Sequence, residues 1–249
     1  MKLQPDDGYI GLAENHEWSK RFMVLQFEGG GISLIPHGFF TTWLDAEPNF
    51  GSCPFGRCSG FGTGSRVKYD NDQQKLVVGR FVSAGQNVKI VLNGQHEIRT
   101  ISSYLFGLAG LQQSNVPILG DVVLGNDLWI GDEAMILGGA NIGSGCVVGA
   151  RALVTQNQVL EPYGIYAGTP ARLVRFRFSE RVRELLLQLQ WWDKPLSWVK
   201  QHNDKFLTFL TEDEGRAIEI LNELIASKHS AQSPYASLSQ FGFRQTWKG

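Results

Sequence analysis

At 249 residues, with 43% apolar side chains, the chain can bury a large core and hold one or two domains. Its net charge of −1 offers no electrostatic footprint for nucleic acid or for a membrane surface. No run of about 18 apolar residues is present, which excludes a membrane-spanning helix, and the opening MKLQPDDGYIGL has no apolar stretch of the secretory kind.

Residues 1–75 are rich in Gly, Phe and Trp and follow no clean period. Arg21–Phe27 and Gly31–Ile35 are strand-like runs, and Asn49–Ser65, dense in Gly, Ser and Cys, is expected as loop. Cys53, Cys58 and Cys146 form an odd, sparse set that fits a reducing, cytoplasmic setting. Cys53 and Cys58 alone cannot make a zinc site, and no metal is expected. From Val78 a six-residue spacing begins with Ala84 and Ile90, and it breaks over Val91–Pro117. It resumes through Ile118, Leu124, Ile130, Ile136, Ile142, Val148, Val154, Leu160 and Tyr166.

A period of six belongs neither to a helix nor to a half-buried strand. It fits a triangular parallel β-helix, in which each hexapeptide forms one face and three faces make a turn. The aliphatic points inward and stacks on its equivalent one coil away, at about 4.8 Å. Ala134, Ala140, Cys146 and Ala152 recur at a second, small inward position. Gly125, Gly131, Gly143 and Gly149 follow the aliphatics, where glycine permits a positive-φ turn. Insertions in repeat proteins collect on a binding face, so the excursion 91–117 is a functional candidate.

After Gly168-Thr169-Pro170 the pattern changes. RLVRFRF alternates like a strand, Ser179 suits a helix N-cap, and Val182, Leu185, Leu186 and Leu189 make a helical stripe. Thr211 with Glu214 suggests a capping box before a second helix carrying Leu221, Leu224 and Ile225. The expected divisions are therefore an irregular region 1–75, a β-helix 76–172 with loop 91–117, and helices with a tail over 173–249.

Several stretches, in order, resemble the hexapeptide-repeat xenobiotic acetyltransferases, the streptogramin and type B chloramphenicol class. These are Val77–Gly85, the Asn93-Gly94-Gln95-His96 segment with Ser103-Tyr104-Leu105-Phe106, Gly125–Gly131, Tyr166–Ala171 and Gln190-Trp191-Trp192-Asp193. The sequence departs from that pattern at His96-Glu97-Ile98-Arg99, and it is shorter between Phe106 and Pro117. The resemblance implies a left-handed coil, a homotrimer with sites between adjacent coils, and acetyl-CoA as co-substrate. It implies His96 as general base for an acceptor hydroxyl, a role for which imidazole chemistry is suited. It places Trp129, Gly131, Gly149, Ala150, Gly168 and Arg172 along the coenzyme. Tyr104 belongs with the acceptor, as do Trp43 and Asp45, from a Thr41–Asp45 echo of a family segment; Phe39 and Phe40 are further aromatic candidates.

Each assignment has a plainer counterpart. His96 is alternatively a hydrogen-bonded loop residue, Trp129 a subunit contact, and the glycines tight turns. Arg175 and Arg177 suit a solvated strand face. Three functions stay open: transfer to an antibiotic-like small molecule, transfer to a surface polysaccharide or sugar precursor, and a non-catalytic trimeric scaffold. A γ-type carbonic anhydrase needs three histidine ligands, and this chain has one histidine between residues 38 and 201.

Overall fold

A computed structural model describes residues 1–42, 51–69, 71–112 and 117–227. Three sheets wrap a common axis as a left-handed parallel β-helix. Among the described residues one sheet has six strands, from Lys2–Pro5 to Val159–Leu160. The second has nine, from Tyr9–Leu12 to Arg172–Phe176, and the third five, from Phe40–Thr42 to Leu153–Val154. The coil strands pair in parallel. Antiparallel pairs occur at the ends of the nine-stranded sheet, among Tyr9–Leu12, Phe22–Phe27 and Gly31–Pro36 and between Gly164–Ala167 and Arg172–Phe176. They cover edges that would otherwise invite another strand.

The six-residue repeat becomes three inward ladders. Val78, Leu124, Ile142 and Leu160 stack in one sheet. Ala84, Ile130, Val148 and Tyr166 stack in the second, and Val67, Ile90, Ile136 and Val154 in the third. Leu124, Ile130, Ile136, Ile142 and Leu160 have no exposed surface, and neither have Ala134, Ala140, Cys146 and Ala152. Ile118 is the exception: it lies in the excursion, half exposed.

The glycines act differently from expectation. Gly125, Gly131, Gly143 and Gly149 do not have positive φ. They are needed because the next coil approaches too closely: a Cβ on Gly131 would lie 2.5 Å from the Ala150 nitrogen. The left-handed corners fall every six residues elsewhere, at Asp127, Glu133, Gly139, Gly145, Arg151, Asn157 and Tyr163. The cost of positive φ is thus carried mostly by residues with side chains.

Two boundaries shift. Ser52–Phe55, Gly60–Phe61 and Arg66–Tyr69 form a regular coil beneath Leu76–Val78, Ser83–Ala84 and Lys89–Val91. The stretch expected as loop over Asn49–Ser65 therefore contains wall strands, and the β-helix starts before residue 76. The second helix, Glu214–Ala226, is capped by Asp213, whose side chain accepts from the Arg216 N–H, rather than by Thr211. The expected strand Arg172–Phe176 and the Ser179 cap of helix Glu180–Leu189 are present.

These two helices, Trp192 and the short helices Leu196–Gln201 and Asn203–Phe206 form a second apolar cluster against Tyr163. Buried arginines fix this cap to the coil. Arg57 Nη2 donates to the carbonyls of Trp192 (2.9 Å) and Lys194 (2.6 Å). Arg80, fully buried, donates to both Asp6 oxygens at 2.6 and 2.8 Å and to Asp193 at 2.6 Å. One guanidinium thus joins the N-terminus, the wall and the cap.

Candidate active site

The excursion leaves the wall after Lys89–Val91, at the corner between the five- and six-stranded sheets. It re-enters at Val122–Leu124, so coils on either side of it pair residues 46 apart rather than 18. His96 stands near its start, exposed to solvent. Its Nδ1 lies 2.7 Å from the Ser103 carbonyl oxygen. A carbonyl can only accept, so in the neutral ring Nδ1 carries the proton and Nε2 the lone pair. Gln95 ties this segment to the wall, accepting from Gln156 Nε2 at 2.5 Å.

Beyond His96 the loop surrounds a pocket of about 640 Å³, lined by Glu97, Arg99, Ser103, Tyr104 and Phe106 among others. Tyr104 and Phe106 meet edge to face at 5.6 Å. Arg99 donates twice to Glu97, and those bonds hold the Glu97 carboxyl down at about 2. The loop also exposes Ile98, Ile101, Leu108 and Leu111. Of the other acceptor candidates, Trp43 and Asp45 lie outside the described residues. Phe39 is 1% exposed, packed on Phe61, and so cannot stack on an acceptor.

The coenzyme candidates gather at a different corner, where the nine-stranded sheet turns into the five-stranded one. Gly131 and the Gly149-Ala150 pair lie on successive coils there. Gly168 follows beneath, its carbonyl accepting from the Leu153 N–H at 3.0 Å. Trp129, 61% exposed, precedes Gly131, and Arg172 is exposed beside Ala171. His96 and this corner bound the same face, that of the five-stranded sheet. Arg66 and Lys89 pair in register on that face and continue into Met135 and Leu153. Sequence reading missed these two cations: each stands one residue before an inward aliphatic, Val67 or Ile90, and neither belongs to the stretches that carry the family resemblance. Among the described residues no group of three or more His, Cys, Asp or Glu side chains is placed to hold a metal.

A second polar constellation lies under the helical cap. Arg177, expected on a solvated strand face, instead donates to the Gly145 carbonyl at 2.8 Å and to Asp127 at 3.3 Å. Burial pushes the Asp127 carboxyl up to about 6, against the pull of Arg177. A carboxyl raised in the folded state favours folding when protonated. Its contribution is full below its ordinary value of 3.8 and is lost as pH rises through about 6. Urea midpoints of the parent and Asp127→Asn, measured between about pH 4 and pH 7, should show the parent losing stability relative to the variant as pH rises.

Residues 121–156 match the family model described as bacterial transferase hexapeptide (six repeats). A probable macrolide acetyltransferase of Lysinibacillus sphaericus is 34% identical over 163 residues, covering 62% of this chain and 87% of that protein. The chain belongs to the hexapeptide-repeat acetyltransferase family. This hexapeptide-repeat acetyltransferase is also 38% identical over 139 residues to a chloramphenicol acetyltransferase of Escherichia coli, covering 53% and 65% of the two chains. It is 35% identical over 141 residues to virginiamycin A acetyltransferase of Staphylococcus aureus, covering 54% and 64%. The chain thus spans somewhat less than two thirds of the length of those two relatives. Among its described residues no helix is long and apolar enough to cross a membrane.

Proposed function

We propose that the protein transfers an acetyl group from acetyl-CoA to a hydroxyl of an antibiotic-like small molecule, with His96 as general base. The observation that carries this reading is the 2.7 Å bond from His96 Nδ1 to the Ser103 carbonyl, which leaves Nε2 as a proton acceptor at an exposed position. Nε2 takes the acceptor's hydroxyl proton as its oxygen bonds to the thioester carbonyl carbon. The tetrahedral oxyanion then collapses, the carbon–sulfur bond breaks, and the coenzyme sulfur leaves with the proton from His96. No acyl-enzyme is required.

The donor lies along the corner of Gly131, Gly149, Ala150 and Gly168, where small residues let a pantetheine arm approach the backbone. Trp129 walls the cleft, and Arg172, joined by Arg66 and Lys89, meets the coenzyme phosphates. The acceptor occupies the loop pocket against Tyr104. The named substrates of the relatives, macrolides, chloramphenicol and virginiamycin A, favour an antibiotic-like acceptor over a saccharide. Acetyl-CoA presented with these drugs and with simple glycans tests the reading by thiol release and product mass. Drug-dependent release with acetylated drug is expected. Acetylation of glycans alone would reject the acceptor, and no transfer to any hydroxyl would reject the chemistry.

The site is completed by a neighbouring copy in a homotrimer. Exposed Ile98, Ile101, Leu108, Leu111 and Trp129 form more apolar surface than isolated exposed residues require. Light scattering should give three times the 27.7 kDa chain mass. A stable monomer with full activity would contradict a shared site.

A further inference from the structure

The corner beneath the helical cap has a feature that the transfer chemistry does not use. Asp127, Gly145 and Tyr163 are left-handed residues of successive turns there, between the six- and nine-stranded sheets. Arg177 spans the three: it bonds Asp127 and the Gly145 carbonyl, and its guanidinium carbon lies 5.5 Å from the Tyr163 ring centre. The cap does not close on this corner. It leaves a cavity of about 350 Å³ with Asp127, Tyr163 and Arg177 in its wall, facing Leu186, Trp191, Phe206 and Leu221 among others. Tyr163 is 1% exposed, and its hydroxyl is buried with no hydrogen-bond partner.

Buried hydroxyls are nearly always paired, and this unpaired one belongs to a side chain that lines the cavity, which points to a ligand there as its partner. The chemistry around it narrows that partner. The Tyr163 hydroxyl can donate, and the adjacent Asp127 carboxylate can accept. A ligand hydroxyl satisfies both. Most of the remaining wall is aromatic and aliphatic, with Lys205, Thr208 and Thr211 as its polar members, and the volume suits a single substituted ring rather than a macrocycle.

We propose that this cavity is a second ligand site, separate from the His96 corner, which binds a small phenol-like molecule. Its hydroxyl accepts from Tyr163 and donates to Asp127, and its ring packs between Phe206, Trp191 and Leu221. Fluorine NMR of the full chain with 4-fluorophenol and with fluorobenzene tests it. Saturable binding of 4-fluorophenol is expected, at least about tenfold tighter than that of fluorobenzene. Tyr163→Phe should bring the two affinities together. Leu221→Trp, which fills the cavity from the helix side, should abolish 4-fluorophenol binding in a protein that keeps its circular dichroism. It also serves if Tyr163→Phe does not fold. Absence of saturable binding, equal affinity for the two probes, or unchanged 4-fluorophenol affinity in either folded variant would overturn the site.

Discussion

Replacing His96 with Ala is expected to lower kcat for acetyl transfer about 10²- to 10⁴-fold, with little change in Tm. The size follows from the role. An alcohol is a poor nucleophile until its proton leaves, and the Nδ1 bond to Ser103, which lines the loop pocket, leaves Nε2 as the acceptor for that proton. Stability should hold because the ring is exposed and its one recorded bond is to a loop carbonyl. Exposed substitutions of this kind usually stay within about 0.5 kcal/mol. His96→Ala assayed with saturating acetyl-CoA, beside a thermal melt, separates the two effects. Turnover within a few-fold of the parent in a folded variant would reject His96 as the base.

Arg80→Met should have the largest effect on folding, a loss of about 3–5 kcal/mol. Its side chain has no exposed surface, and that of Asp6 is only 4% exposed. Methionine keeps much of the volume but strands Asp6 in a buried site and leaves Asp193 without its cation. Burial already raises the Asp193 carboxyl against the pull of Arg80. Urea midpoints with unchanged slope would measure the loss. Arg151→Ala is the contrasting variant: its pair with Glu133 is exposed at 78% and 48% of the side chains. It should cost no more than about 1 kcal/mol. Equal losses in the two variants would refute the distinction.

A break of phase between coils explains what the sequence discloses. From Val122 onward each turn spans 18 residues, so every inward aliphatic repeats at six and the ladder Leu124–Ile142–Leu160 is visible in one line of text. The coil below pairs residues 23 apart, as in Gly60 with Ser83 and Arg66 with Lys89. Phe55, Phe61 and Val67 are themselves six apart and point into the same core, but the next inward aliphatic, Val78, follows Val67 by 11 residues, so the three stand out of phase with the later hexads. The six-residue spacing of that coil is thus present in the sequence, with Gly56 and Gly62 after its first two aliphatics, and is masked only by the one long connection that follows it.

The site was legible to different depths. His96 was found through a resemblance, and no periodicity would have picked it out. Its tautomer needed the Ser103 carbonyl, which only the folded loop supplies. The glycines were visible, but their reason was not: close approach of backbones is a property of two coils, not of one turn. Arg80 was hidden because its partners stand 74 and 113 residues away. Arg177 looked like one of three alternating surface arginines until the cap covered it.

The excursion departs from and rejoins the wall at one vertex of the triangle, so the flanking turns keep their alignment whatever lies between. Its length and composition are thereby released from the demands of the core. Such a hinge point lets selection exchange one recognition segment for another while the groove for the donor stays as it is. New acceptors become reachable by small insertions and deletions that a tightly threaded active site would not survive.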